Sequence, residues 1–493
     1  MGILSESNKE LLQIGGTMKG FEKDFQANVA YFNKILRVDD SFDLLYRVIS
    51  MGGRQACVYC VDGFVKDEIM QKLLQYFTGL KPEDMPQDAH GILKKLLPYI
   101  EIELYETEEQ VVRNVLAGVP CILIEGYEQY VFGVDARTYP ARSVDEPEKD
   151  KVMRGSRDGF VETLVFNTAL IRRRIRDPRL TMQILEAGTS SHTDIVLCYM
   201  EDRVEQEFLQ QIIKRIKEIK VQSLTMNQQS LAECLYDRSW INPFPKFKFS
   251  ERPDTAAASI YEGNIVVLVD NSPAAMILPT TIFDIIEEAD DYYFPPITGT
   301  YLRFTRFAAN VLAMVFTPLF LLLMQHQDWV PEAFQFIIVA GPINVPLVYQ
   351  FLILELALDG MRLAALNTPS MLSMPLSVIA GIVIGDFAVS SGWFNAEVML
   401  YMSFVAIASY TQASYELSYA MKFMRMILLI LTAAFDVWGF VIGIVFEILT
   451  ISLNKTIAGK SYLSPLIPFK PGKFFRHIFR VSLPQSEQKQ QKK

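Results

Sequence analysis

Hydrophobic and polar positions divide this chain into two regimes. Up to about residue 290, short apolar runs of strand length alternate with helical patterns; from Phe307 onward, long apolar stretches take over. The short runs are Ala56–Val61, Pro120–Glu125, Ile195–Met200 and Asn264–Val269. Between 203 and 220, Val204, Phe208, Ile212, Ile216 and Ile219 recur at helical spacing against a face of Glu, Gln and Lys. Strands alternating with helices predict α/β architecture. The polar stretch 141–151, with Pro147 inside it, marks an internal boundary. The pattern therefore predicts an N-terminal extension over 1–34 and a cytosolic head of two α/β subdomains, 35–140 and 150–290.

The rest predicts an α-helical polytopic membrane domain over 301–456, followed by a basic cytosolic tail over 457–493. Its apolar segments are 307–324, 334–356, 374–394, 398–415 and 427–453, each near the length of about 20 residues that crosses a bilayer. Trp329 and Trp393 sit near span ends, as an aromatic belt requires. Arg303 and Arg306 place the start inside, and so do the bases of the tail, which demands an even number of crossings. Five stretches conflict with that parity, so one of them is expected to be re-entrant, interfacial or broken. Gly341 to Pro346, GPINVP, interrupts the second stretch and is the candidate for the break. Two GxxxG spacings, Gly381/Gly385 and Gly439/Gly443, allow close helix packing.

Charge sharpens the picture of this half. Between Arg306 and Lys455 stand nine acids but only three bases, Arg362, Lys422 and Arg425. A carboxylate in a bilayer costs at least about 2.5–3.5 kcal/mol, so such groups face a polar interior rather than lipid. Glu355, Asp359 and Arg362 fall on one helical face by their spacing, which suits an ion-pair cluster or an ion path equally. Asp386 has no basic neighbour in sequence and is the leading candidate for a pore-facing or interhelical carboxylate; Asp436 and Glu447 complete the polar set.

In the head, Arg172, Arg173 and Arg174 form the densest basic run. It reads as a solvated face or, more sharply, as a subunit contact or a lipid-headgroup contact. Cys57 and Cys60 form a CxxC inside an apolar run, and no second pair follows; a core strand is the expectation rather than a metal or redox site. The four histidines lack ligand spacing, and no P-loop, dinucleotide fingerprint or catalytic triad order occurs. No cofactor and no enzyme activity are expected. A net charge of −9 gives no nucleic-acid footprint. After Met1 comes a polar run rather than a basic and apolar leader, so the head is expected to stay cytosolic.

Several motifs in order then carry a resemblance. They are YCVDGFV (59–65), the 146–180 block containing RGSRDGFVE and LIRRRI, NPFP (242–245), SERPD (250–254), EGNIVVLVDNSP (262–273), DDYY (290–293) and VIAGIVIGD (378–386). Over nearly its full length the chain resembles the A-subunit family of bacterial spore germinant receptors, the GerA type. Ser156, Asp158, Lys246, Asn271 and Asp386 stand where the family usually has other residues. DGMRLAALNTP keeps Arg362 but loses charges at Leu363 and Asn367. These departures resemble a sporulation-associated paralogous branch more than a nutrient-sensing subunit. The resemblance implies a multi-pass protein of the spore inner membrane that acts in germination with other membrane proteins. It also implies a homo-oligomeric channel for cations, a pentamer by the family's pattern. A non-conducting scaffold is the competing reading, and a dipicolinic acid carrier a third, although a dianion would want more bases along its path.

Overall fold

The computed structural model describes residues 21–96, 101–139, 154–236, 242–367, 381 and 387–481. The molecule divides into two compact units. One holds the sheets and runs to Leu278, apart from 152–155 and 238–248; those segments belong to the second, which continues from Pro279.

The first unit repeats one topology. After helix α1 (Phe25–Leu36) come β1 (Leu44–Met51), β2 (Arg54–Val61), α2 (Asp67–Gly79), β3 (Ile102–Tyr105), α3 (Glu108–Leu116), β4 (Cys121–Ile124) and β5 (Val131–Val134). They make a five-stranded sheet in the order β1-β2-β4-β5-β3 with antiparallel ladders. After α4 (Leu164–Arg174) the plan recurs with β6 (Leu180–Ala187), β7 (Thr193–Met200), α5 (Gln206–Lys217), α6 (Asn227–Leu235), β8 (Lys248–Ser250), α7 (Pro253–Tyr261), β9 (Ile265–Val269) and β10 (Ala275–Leu278). Its order, β6-β7-β9-β10-β8, is the same. Inner strands such as β4 and β9 are buried at every position, which is why their sequences read as unbroken apolar runs. Phe25, Val29, Phe32 and Leu36 of α1 lie in the first core, so the segment read as an extension over 1–34 joins the fold from Phe25.

Cys57 and Cys60 lie on β2, three residues apart on a strand and hence on opposite faces. Burial pushes both thiols up to about 11, away from the thiolate chemistry of redox sites. Both are free, as are the other three cysteines.

The second unit is helical: α8 (Pro296–Gln325), α9 (Leu347–Asn367), α10 (Ala396–Tyr410), α11 (Tyr415–Ser452) and α12 (Pro471–Ile478). Two of them, α8 and α11, are long and apolar enough to cross a membrane. The predicted second stretch is not one helix: a 3₁₀ segment at Glu332–Ile337 leads through GPINVP to α9, which starts at Leu347 after Pro346. Most of the third stretch, 374–394, lies outside the described residues.

The last stretch holds the larger surprise. At 38 residues α11 would run about 57 Å if straight, nearly twice a bilayer's hydrocarbon core. It does not run straight. Asp436 takes φ 57° and ψ −132°, and the chain doubles back. The limbs 415–435 and 437–452 pack side by side: a Cβ on Gly443 would lie 3.4 Å from the Cα of Leu428, and one on Gly439 would strike the Leu431 carbonyl. The second GxxxG thus seals a hairpin within one segment. Tyr462 and Ile457 are buried as well, so the region read as a basic tail from 457 is partly built into this unit.

Candidate functional site

Among the described residues of the helical unit, four places stand out for buried or paired polar side chains. The first joins α9, α10 and α11. Glu355, Asp359 and Arg362 share a face of α9 as their spacing predicted. From α11, Arg425 places Nε 2.7 Å and Nη2 2.5 Å from Glu355 Oε1. Lys422, one turn earlier, donates from Nζ to the Glu355 carbonyl at 3.1 Å, lies 3.5 Å from Glu355 Oε2 and pairs with Asp359. Arg425 also donates to the Ala313 carbonyl on α8. The guanidinium of Arg362 lies 4.9 Å from the ring centre of Tyr410 and 5.3 Å from that of Tyr419.

The cluster therefore holds all three bases that the sequence showed between Arg306 and Lys455. Glu355, Lys422 and Arg425 are buried. The pocket they line with Ser409 and Ser418 has a volume of about 20 Å³, room for roughly one water. Removing one member of such a set strands a charge, so the cluster acts as a clamp. The rarity of the bases was the available signal, but sequence spacing alone did not assign Lys422 and Arg425 to Glu355.

The second place is the hairpin tip. His326 Nε2 lies 2.8 Å from both carboxylate oxygens of Asp436, and its ring stacks on Trp329 at 4.4 Å and 12°. This contact holds the end of α8 against the α11 break, where a non-glycine residue sits in sterically costly backbone territory. His326 was dismissed in the sequence as an isolated histidine. The third place is Glu447, which is 1% exposed on the second limb; neither carboxyl oxygen has a hydrogen-bond partner among the described residues. Asp386 lies outside the described residues.

Where α8 begins, acids and bases again interlock. Arg306 grips both oxygens of Asp291 at 2.7 and 2.8 Å, and Arg303 reaches Asp291 at 3.2 Å and also pairs with Glu287. Burial pushes the Glu287 carboxyl up, but His477, Arg303 and Tyr292 outweigh it and bring it down to about 2. Asp284, Glu287 and His477 place ligand-type atoms within 4.8 Å of one another. Arg303 pairs with Glu287 there, and the Lys248 ammonium donates to the backbone carbonyls of Asp284 and Glu287 at 2.7 and 2.8 Å, so two cations already stand at this node.

In the sheet unit the arginine run resolves residue by residue. Arg172 is 0% exposed, which corrects its reading as part of a solvated or subunit-contacting face. Its Nε lies 2.7 Å from Asp43 Oδ2, and Nη2 lies 3.0 Å from Asp43 Oδ1 and 3.1 Å from Ser41 Oγ. The same guanidinium donates to the Asp177 and Leu180 carbonyls. It thereby ties the chain before β1 to the chain before β6. Arg174 turns to Asp158 at 2.6 and 2.7 Å. Burial raises the Asp158 carboxyl, but bonds from Arg174 and Ser156 outweigh it and leave it below the usual range. Arg173 alone stays exposed, its guanidinium 4.4 Å from the ring centre of Tyr139.

The profile of the family described as Bacillus/Clostridium GerA spore germination protein matches residues 30–492. The chain is 35% identical over 459 residues to stage V sporulation protein AF of Bacillus subtilis (strain 168), covering 93% of this chain and 92% of that protein. It is 26% identical to spore germination protein GerLA of Bacillus cereus, over 86% of this chain and 87% of that one. A crystal structure of the N-terminal domain of the A subunit of the Bacillus megaterium spore germinant receptor GerK3 aligns with a TM-score of 0.41 and 20% identity. That alignment covers 54% of this chain and 98% of the domain.

Proposed function

This chain belongs to the Bacillus/Clostridium GerA spore germination protein family, and from that premise we propose that it is a germination-machinery subunit whose assembled copies conduct monovalent cations. Membership makes it a membrane-associated relative of germination and sporulation proteins. The similarity to stage V sporulation protein AF agrees with the branch expected from Arg362 and its neighbours.

The conducting reading rests on the nine acids against three bases between Arg306 and Lys455, and the closure of the Glu355 cluster bears on where cations would run. Within one protomer the acids of α9 are matched by Lys422 and Arg425, and the space left is about 20 Å³. A cation has no wide path there among the described residues. Conduction then requires a pore between copies, lined by acids outside the clamp, with Asp386 as the first candidate. The same closure suits the competing reading, a scaffold that conducts nothing.

The hairpin in α11 supports an even number of crossings. α8 runs away from the Asp291 end to His326, and the two α11 limbs go out to Asp436 and back to Asn454. Asn454 there meets Lys246, as does the Lys455 carbonyl. α9 and α10 both start at the far end, where Gln350 binds Asn395 at 2.8 Å, and both end where Arg362 meets Tyr410. They run the same way. α8 starts and the second α11 limb ends at the same end of the bundle, so the number of crossings in this reading is even. Both flanks then face one side, as the positive charges favour. In this reading the surplus is resolved by dividing the fifth stretch rather than by withdrawing the second.

Purified protein in liposomes tests the reading by monovalent cation flux. The parent conducts, and Asp386→Asn lowers flux severalfold while membrane assembly persists. A parent that assembles and passes no cation overturns conduction in favour of the scaffold.

A further inference from the structure

The segment after the helical bundle carries a surface that the germination reading leaves unused. Helix α12 is short and sharply two-sided. Phe474, Phe475 and Ile478 share one face, while Lys473 and Arg476 share the other. Phe474 is committed inward: its ring meets Phe283 edge-on at 5.9 Å. Phe475 and Phe479, a turn apart, point outward and are each 52% exposed. Lys470, just ahead of the helix, extends the basic side.

The place where this helix is fastened decides what can meet it. Arg303 of α8 donates to the carbonyls of Arg476 at 2.7 Å and His477 at 3.3 Å, capping the negative end of α12 with a guanidinium. Arg480 closes the joint, its amide donating to Thr300 Oγ1 at 3.1 Å. Arg303 lies one turn before the apolar run of α8 begins at Phe307. The helix is thus pinned at the level where α8 enters the apolar phase. Tyr301 and Phe304 of α8 are also exposed at that level. Phenylalanines on one side and lysines and arginine on the other are the composition of helices that lie in a bilayer interface.

We propose that α12 is an interfacial anchor for anionic glycerophospholipid. Phe475 and Phe479 enter the acyl boundary, and Lys470, Lys473 and Arg476 face the phosphates. The inference rests on the reading of α8 as a membrane span, and the test separates the two.

The full chain is reconstituted in phosphatidylglycerol or phosphatidylcholine vesicles, with benzoylphenylalanine at position 475 or, separately, at Val311. Val311 is exposed on the apolar run of α8 and reports the span alone. After illumination, adducts are identified by mass. Both probes should yield lipid adducts. The 475 adduct should be more abundant in phosphatidylglycerol and fall about fivefold for each charge removed in Lys473→Gln and Arg476→Gln. Adducts at 311 but none at 475, or adducts at 475 only to protein, overturn the anchor and leave the span standing. A 475 adduct indifferent to lipid charge and to both substitutions overturns the anionic-lipid assignment. Absence at both sites overturns span and anchor together.

Discussion

Two buried arginines, Arg172 among the sheets and Arg425 among the apolar helices, solve one problem in different surroundings. Each grips a carboxylate: Asp43 for Arg172, Glu355 for Arg425. Arg172 spends its remaining donors on neutral acceptors, Ser41 Oγ and two backbone carbonyls. Arg425 has one carbonyl, Ala313, and otherwise stands in a set with a second cation and a second acid. The difference follows from what each fold can supply. Loops between two sheets expose free carbonyls to receive a guanidinium, whereas helix interiors consume theirs in the i→i−4 ladder. Among packed helices a buried charge must therefore be balanced chiefly by other charges.

The largest effect is expected at Arg425. Arg425→Ala leaves Glu355 with Lys422 as its remaining cation, a ligand already shared with Asp359. The expected loss is roughly 3–5 kcal/mol, seen as failure to accumulate folded protein in the membrane. Adding Glu355→Gln should recover part of it, because the stranded charge is then gone. If the double variant is as poorly folded as the single, packing rather than charge balance holds the cluster.

Arg172→Ala should cost about 3 kcal/mol, near the lower end of the same range, since Asp43 keeps the Ser41 hydroxyl at 2.7 Å. Hydrogen exchange on the full chain is the measurement: protection should fall in α4 and in the segment 41–44 while the inner strands β4 and β9 keep theirs. Uniform loss across both sheets would mean that the clamp serves the whole unit. Uniform retention would mean that Arg172 is dispensable.

How far the sequence revealed these sites depends on the kind of signal. Strands β2, β4, β7 and β9 were legible because they are buried on both faces or nearly so. Edge strands β1 and β6 were not: Tyr46 and Val48 on β1 and Ile184 on β6 are exposed, so polarity does not follow inside and outside there. The repeated topology left no trace in the motifs. Glu355, Asp359 and Arg362 were legible as one face because helical spacing is local. Their partners lie 63 and 70 residues away, a separation that no periodicity reports. The α11 hairpin was hidden for a related reason. Asp436 sits in an apolar run without an adjacent proline or glycine, so it read as a polar residue in a span rather than as a corner. Gly439 and Gly443 carried the missing information, but only as a spacing common to all close helix packing.

A smaller effect is expected from acid at the start of α8. Glu287 is held down at about 2, against an ordinary glutamate value of 4.5. A depressed carboxylate stabilises the fold above its unfolded value and loses that contribution as pH falls through the folded one. Between pH 4.5 and 2, the joint of Glu287, Arg303 and His477 should weaken by on the order of 2 kcal/mol. Thermal melts of the parent and Glu287→Gln should converge as pH falls across this window. Curves that stay parallel would show that Glu287 contributes no proton-linked stability.

The smallest effect on folding belongs to Arg173, the most exposed arginine of its run. Its guanidinium over Tyr139 contributes about 0.5–1 kcal/mol as an exposed cation–π contact, and Arg173→Glu removes that and no buried pair. The fold should therefore survive. Its assembly is another matter, because Arg172 and Arg174 are spent inside the protomer and Arg173 is the member still able to meet an acid on another copy. Native mass measurement of Arg173→Glu should show fewer oligomers than the parent, and Arg173→Lys, which keeps the charge but not the planar stacking surface, should restore them. Unchanged oligomers with Glu at this position would reduce Arg173 to its contact with Tyr139, and the run as a whole to an internal fastening of the two sheets.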